Sequence, residues 1–395
     1  MYNEKMVELG SKRSVIRELF EYGKKRAAEV GADKVYDYSL GNPSVPAPAC
    51  VNDAIAEIIA DNPSIAVHGY TSAQGDFHTR KVIADYINDR FAVSIGADDI
   101  YMTCGAAASL TISLKALTAS IDDNFIAFAP FFPEYKVFTE AAGARLLVAK
   151  SIDGTFQPDV DDLASLIDEN TKGVILNSPN NPSGVVYTEE NIIKICSLLK
   201  EKSAKYGHPI FVISDEPYRE IVYDNIKVPY LMNYYDDVVV CYSYSKSLSL
   251  PGERIGYIAI SPKAYKNRDL YAAVCGAGRA LGYVCAPSLM QKVIAKCARA
   301  QTDTDAYKNN RDLLLNALEG YGYTCVKPDG AFYLFVKALE EDANAFSERA
   351  KHFGLLLVPG DSFGSCGYVR LAYCVSADMI KRSLPQFKEL YNSYR

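Results

Sequence analysis

No apolar run in this sequence approaches the ~18 residues that a membrane-spanning helix needs, and the opening Met1-Tyr2-Asn3-Glu4-Lys5 carries no apolar signal region. The expectation is a cytoplasmic protein. Positive charge is not in excess either: 42 Lys and Arg against 48 Asp and Glu leave a net charge of −6, with no basic cluster. Nucleic acid and an anionic membrane surface are therefore disfavoured as main partners. The ten cysteines contain no Cys-x-x-Cys pair, the nearest neighbours being Cys366 with Cys374 and Cys275 with Cys285. His68, His78, His208 and His352 show no metal-ligand spacing, so no metal site is expected. Cys196, Cys241 and Cys297 sit in apolar runs, where cysteine acts as a small hydrophobe, which points to reduced, mostly buried thiols. Internal repeats and low-complexity segments are missing too.

What is present is an ordinary globular composition, 49% hydrophobic and 23% charged, in a chain of 395 residues. That length exceeds one compact core, so a large domain over 46–290 and a smaller one built from 1–45 and 291–395 are expected. The first ~35 residues read as an amphipathic helix with Val15, Ile16, Leu19 and Phe20 on one side. Gly41-Asn42-Pro43 and the prolines after it mark an irregular crossing piece, which serves equally as a linker or as backbone approaching a ligand. Helices are predicted over Val51 to Ile59 and His78 to Phe91.

From there strand and helix alternate. Tyr101 to Cys104, Phe125 to Ala129, Gly173 to Leu176, Ile210 to Ile213 and Val238 to Tyr242 are nearly continuous apolar strands, the pattern of a parallel sheet covered on both faces. A further strand is predicted from Arg254 to Ile260. The expected class is α/β: a three-layer α/β/α domain around a mostly parallel sheet, with a smaller α+β domain. The smaller one would use strands Phe332 to Val336, Leu355 to Val358 and Tyr368 to Tyr373, with helices Asn344 to Phe353 and Ala377 to Tyr391.

Polar and aromatic residues collect just past the C-terminal ends of these strands, where open α/β sheets bind ligands. Gly105-Ala106-Ala107 opens a helix, leaving backbone N–H groups free at its positive end, a geometry suited to phosphate or simply to tight packing. Pro130-Phe131-Phe132, Asn177-Ser178-Pro179-Asn180-Asn181 and Ser214-Asp215-Glu216-Pro217-Tyr218 end three more strands. Ser243-Tyr244-Ser245-Lys246 ends another and runs on to Arg254. Taken alone, a Ser-x-Ser-Lys is most often a solvated loop lysine; the alternative is a Schiff-base lysine beside a phosphate site.

Together these motifs decide between the two. Asn181-Pro182-x-Gly184, Asp215-x-x-Tyr218, Ser243-x-Ser245-Lys246, Arg254 and finally Arg370 stand in one order, and from Gly41 to Arg370 the chain resembles the class I/II aminotransferases, enzymes of fold type I that use pyridoxal 5'-phosphate. The resemblance implies that Lys246 binds the cofactor covalently and shuttles the substrate α-proton, and that Asp215 keeps the ring nitrogen protonated. It places Tyr218 and Asn181 at the ring hydroxyl and Phe132 on the ring face. It gives the phosphate to Ala106, Ala107, Ser243, Ser245 and Arg254, with Tyr70 reaching in from a second subunit of an obligate homodimer. Arg370, helped by Gly41 and Asn181, would bind the substrate α-carboxylate.

The implied reaction is a ping-pong exchange of an amino group between an L-amino acid and a 2-oxo acid. Carbon–sulfur β-lyases and aminocyclopropane-carboxylate synthases share these residues and form the alternative. A cofactor-sensing regulator ranks far behind, because only ~40 residues precede Gly41, fewer than a DNA-binding module needs. Relatives that use aspartate carry an arginine at the position of Ala280 or a lysine at that of Ala107; this chain has neither, although Arg279 is adjacent. A dicarboxylic substrate is not implied.

Overall fold

The computed structural model describes residues 2–11 and 14–395. In place of one N-terminal helix there are two, Glu4–Ser11 and Val15–Val30; the second begins where the Ser14 side chain accepts the Arg17 N–H. The short strand β1 (Tyr36–Asp37) follows.

Seven strands then form the main sheet: β2 (Ile100–Thr103), β3 (Asn124–Phe128), β4 (Arg145–Ala149), β5 (Thr171–Asn177), β6 (Phe211–Asp215), β7 (Val238–Ser243) and β8 (Gly256–Ile260). Their order is β2-β8-β7-β6-β5-β3-β4. Every pair from β7 to β4 is parallel, whereas β8 runs antiparallel to both its neighbours. Alternate residues of single strands enter different cores. Val212, Val238 and Val240 pack with the helices Ala49–Asp61, Phe77–Phe91 and Ser288–Cys297, while Ile213, Val239 and Cys241 pack with Ala106–Leu117 and Asn267–Ala280. Two covered faces are why these strands read as unbroken apolar runs.

Four further strands, β9 (Cys325–Val326), β10 (Tyr333–Lys337), β12 (Val358–Pro359) and β13 (Tyr368–Ala372), make an antiparallel sheet in the order β12-β13-β10-β9. The strand β11 (Leu355–Leu356) pairs instead with β1 in parallel, so the predicted strand Leu355 to Val358 serves two sheets. Helices Thr304–Tyr321 and Ala377–Asn392 supply a separate core with Leu314, Leu318, Phe387 and Leu390.

Three local features differ from the sequence reading. β4 escaped it because it is an edge strand with exposed Arg145 and Val148. The segment after β8, for which no element was expected, is largely helix, Asn267–Ala280. The strand expected from Arg254 begins only at Gly256, since Arg254 has φ of +51°, outside the extended region. Among the described residues, no helix is long and apolar enough to cross a membrane.

Candidate active site

The C-terminal ends of β2, β3, β5, β6 and β7 open into one cavity of about 320 Å³. It is lined by Gly41, Ala106, Ala107, Phe132, Asn181, Asp215, Tyr218, Ser243, Ser245, Lys246, Arg254 and Arg370, twelve of the thirteen candidate residues. Arg254 arrives there because β8 is antiparallel. Its first residue, Gly256, pairs with Ser243 on one side and Thr103 on the other, so the residues just before β8 lie beside its neighbours' C-terminal ends.

At this corner the backbone permits only glycine. A Cβ on Gly256 would stand 2.2 Å from the Tyr242 carbonyl oxygen and 3.0 Å from Gly105 Cα. Gly105 itself has φ of +92° and faces Arg254 Nη2 and Ser243 Oγ, which would lie 3.1 and 3.5 Å from a Cβ there. It caps the helix Ala106–Leu117, whose first N–H groups have no acceptor within the helix. Ser243 Oγ and Ser245 Oγ share a hydrogen bond of 2.7 Å, and Ser243 Oγ also accepts the Ser245 N–H. The result is a concave set of amides, hydroxyls and one guanidinium, suited to an anion such as phosphate.

Across the cavity Lys246 Nζ donates to the Gly41 carbonyl at 2.6 Å. Burial lowers its pKa to about 8; the Cys374 thiol opposes this, while the Arg370 and Arg254 charges add to it. Asp215 moves the other way, pushed up to about 7 by burial. Its Oδ2 accepts the Tyr135 hydroxyl at 2.5 Å, its backbone carbonyl accepts Asn177 Nδ2 at 2.9 Å, and its buried Oδ1 has no partner among the described residues. Asn177 Oδ1 in turn accepts the Asn181 N–H at 2.8 Å.

Arg370, buried in the middle of β13, lies between the rings of Tyr333 and Phe363, 4.6 and 4.9 Å from their centroids. Nη1 donates to Asn181 Oδ1 at 3.1 Å and Nη2 to the Ser39 carbonyl at 2.5 Å, while the buried Nε has no partner among the described residues. Burial lowers its pKa, yet it stays a cation at any working pH. The Tyr333 hydroxyl lies 2.9 Å from that of Tyr218 and packs against Gly41, where a Cβ would come within 2.0 Å of it.

Known proteins resemble this chain in sequence and fold. The profile described as "Aminotransferase class I and II" matches residues 34–386. The chain belongs to the class I and II aminotransferases. A crystal structure of an amino transferase from Eubacterium rectale superposes with a TM-score of 0.99 at 60% identity, over 100% of this chain and 99% of that one. The aspartate aminotransferase of Thermotoga maritima gives a TM-score of 0.88 at 27% identity, over 99% and 100%. A probable N-acetyl-LL-diaminopimelate aminotransferase of Bacillus subtilis is 28% identical, over 90% of this chain and 89% of its own length. The family as a whole depends on pyridoxal phosphate.

In this aminotransferase Tyr70 stands apart from the twelve. It is 90% exposed and borders a different surface depression with Ile65, Phe77 and Lys292. Arg279, in the last turn of Asn267–Ala280, is exposed and outside the cavity. Among the residues that sequence reasoning passed over, Ile16, Asn177 and Tyr333 line the cavity, and Tyr135 bonds Asp215. Asn177 opens the polar run after β5 and was within reach of the strand-end argument. Tyr135 and Tyr333 look like ordinary packing tyrosines on a helix and a strand, and nothing local separates them.

Beneath the cavity a buried network joins the strand ends that carry the site. Arg219 bonds Glu216 Oε2 at 2.6 Å, Glu220 Oε1 at 3.2 Å and the Tyr257 hydroxyl at 3.0 Å. Tyr242 contacts both Glu220 Oε2 and Ser247 Oγ at 2.8 Å. The segment after β6 is thereby tied to β7, to the turn holding Lys246 and to β8.

Proposed function

We propose that this aminotransferase uses pyridoxal 5'-phosphate to move an amino group between an L-amino acid and a 2-oxo acid by a ping-pong mechanism. The observation that carries the reading is the unpartnered, buried Oδ1 of Asp215 in the same cavity as Lys246 and the anion cradle. A buried carboxylate oxygen without a donor is costly, and a protonated ring nitrogen would satisfy it. The cradle at Gly105 supports the phosphate reading, since a Cβ there would press on Arg254 Nη2 at 3.1 Å.

When bound, the cofactor supplies an electron-poor pyridinium ring that takes up the electron pair left when the substrate α-carbon loses its proton. The chain's own residues divide the remaining work. The amides of Ala106 and Ala107, the hydroxyls of Ser243 and Ser245 and the Arg254 guanidinium would hold the phosphate. Asp215 Oδ1 would hold the proton at the ring nitrogen, and Tyr218 and Asn181 would hydrogen-bond the ring hydroxyl. Phe132 would pack on the ring face. Lys246 Nζ, neutral for part of the time near its depressed pKa, would take the α-proton and return it. Arg370 would clamp the α-carboxylate with its planar fork, a role supported by its free Nε and by the flanking rings that fix its plane.

We read the chain as a homodimer with Tyr70 donated to the partner's phosphate site, which accounts for a bare tyrosine beside exposed Ile65 and Phe77. We also read the main sheet and the antiparallel sheet as a large and a small domain, near 46–290 and 291–395 with 1–45. The packing of Ser288–Cys297 into the main-sheet core favours a boundary after that helix. Among the described residues the cavity's only cations are Lys246, Arg254 and Arg370, so a second substrate carboxylate would need a charge from a second subunit.

Adding single amino acids to the holoenzyme tests the reaction. Loss of the cofactor's visible absorbance without ammonia release, reversed by a 2-oxo acid, is expected. Steady ammonia release would replace the reading with β-elimination. Lys246→Ala should still bind cofactor but lose turnover, and a fully active variant would end the proposal.

A further inference from the structure

Tyr135 bonds the Asp215 carboxylate, yet neither the motifs nor the family assignment accounts for it. It sits in the first turn of the helix Glu134–Ala142 and is 1% exposed. Its ring stands edge-on to Phe132, centroids 5.8 Å apart at 85°, and is nearly parallel to that of Phe131 at 6.5 Å. Its hydroxyl donates to Asp215 Oδ2. Burial and the neighbouring Asp215 hold its pKa well above the ordinary tyrosine value, so the hydroxyl stays a proton donor at every working pH.

The hydroxyl has one proton and, among the described residues, one hydrogen-bond partner. If a protonated Asp215 placed its hydrogen on Oδ2 and donated it to Tyr135, the phenolic hydrogen would be left buried with no acceptor among the described residues. The carboxyl hydrogen, when present, therefore sits on Oδ1, the oxygen left without a partner. We infer that Tyr135 is a positioning residue: by donating to Oδ2 it confines the proton exchanged between Asp215 and the cofactor's ring nitrogen to Oδ1 and biases that proton toward the nitrogen. The carboxylate accepts the Tyr135 hydrogen bond more strongly than the neutral acid does, so the bond favours the state in which the ring is protonated. This rests on the reading that the cavity binds pyridoxal phosphate.

Holoenzyme loaded with pyridoxal phosphate labelled with ¹⁵N in the ring reports the position of this proton through the nitrogen chemical shift. Tyr135→Phe should move the signal toward the unprotonated value, changing the proton distribution about tenfold or more. Tyr135→3,5-difluorotyrosine, similar in shape but a stronger donor, should move it the other way, and decides the matter alone if the phenylalanine variant does not fold. In an Asp215→Asn background, Tyr135→Phe should add nothing further. Bound cofactor whose nitrogen signal ignores both substitutions, or shifts in the same direction for both, overturns the inference while leaving the function standing. Failure of the wild-type protein to bind the labelled cofactor overturns the function and the inference together.

Discussion

Arg219→Met removes the centre of the buried network while keeping most of the side-chain volume. Arg219 is 2% exposed, and its two carboxylate partners are almost as buried. After the change, among the described residues, Glu216 keeps the Ser214 hydroxyl at 2.6 Å, and Glu220 keeps the Tyr242 hydroxyl at 2.8 Å with Arg90 at 3.8 Å. Two buried carboxylates then share one distant cation, and breaking such a pair from one side costs about 3–5 kcal/mol. With a urea m-value of about 3 kcal/mol/M, the unfolding midpoint should fall by about 1–1.7 M. The pH dependence identifies the cause. Burial already raises the Glu216 pKa, and the Arg219 charge is the main influence lowering it, so the variant's folded-state value rises further. A carboxyl whose folded pKa is raised favours the fold while protonated and loses that stability as pH rises through the folded value. The deficit relative to wild type should therefore be smallest at acid pH and widen as pH rises. Arg219→Met combined with Glu216→Gln and Glu220→Gln should recover most of the loss. A midpoint shift below about 0.3 M, or a deficit that does not change with pH, would refute this account of the network.

Gly41→Ala would place a methyl group 2.0 Å from the Tyr333 hydroxyl, displacing the ring that supports Arg370 and bonds Tyr218. At about 1–3 kcal/mol for overpacking, kcat/KM should fall by about 5- to 160-fold, and Tyr333→Phe in the same chain should restore part of it; wild-type kinetics in the single variant would show that the contact does not matter. In the cofactor-free enzyme, acylation of Lys246 should rise through pH about 8, because burial disfavours its charged form. The same depression makes the stability that Lys246 contributes present above the ordinary lysine value and lost as pH falls through about 8. A modification profile with its inflection near the ordinary value of about 10.4 would contradict the buried setting.

Much of the site was legible because chemistry and local pattern coincide at the ends of strands. Each buried apolar run stops at a polar cluster, so Asn181, Asp215, Tyr218 and Ser243 to Lys246 could be found from where β5, β6 and β7 end. Arg370 stood out as a charge on an apolar strand. β4 stayed hidden because an edge strand with one exposed side lacks the burial signal.

By itself the sequence determined the alternation of strand and helix, the positions where strands give way to polar turns, and therefore which residues were available for chemistry. Only the tertiary structure decided which of them meet. Arg254 joins Ser243 and Gly105 because β8 enters the sheet antiparallel. Tyr135 reaches Asp215 across 80 positions of chain, Tyr333 closes on Gly41, and Tyr70 is left out on the surface. The physical reason is that periodicity records whether a face is buried, a property of neighbouring residues, whereas what that face is buried against depends on sheet order and strand direction, set by contacts between distant parts of the chain.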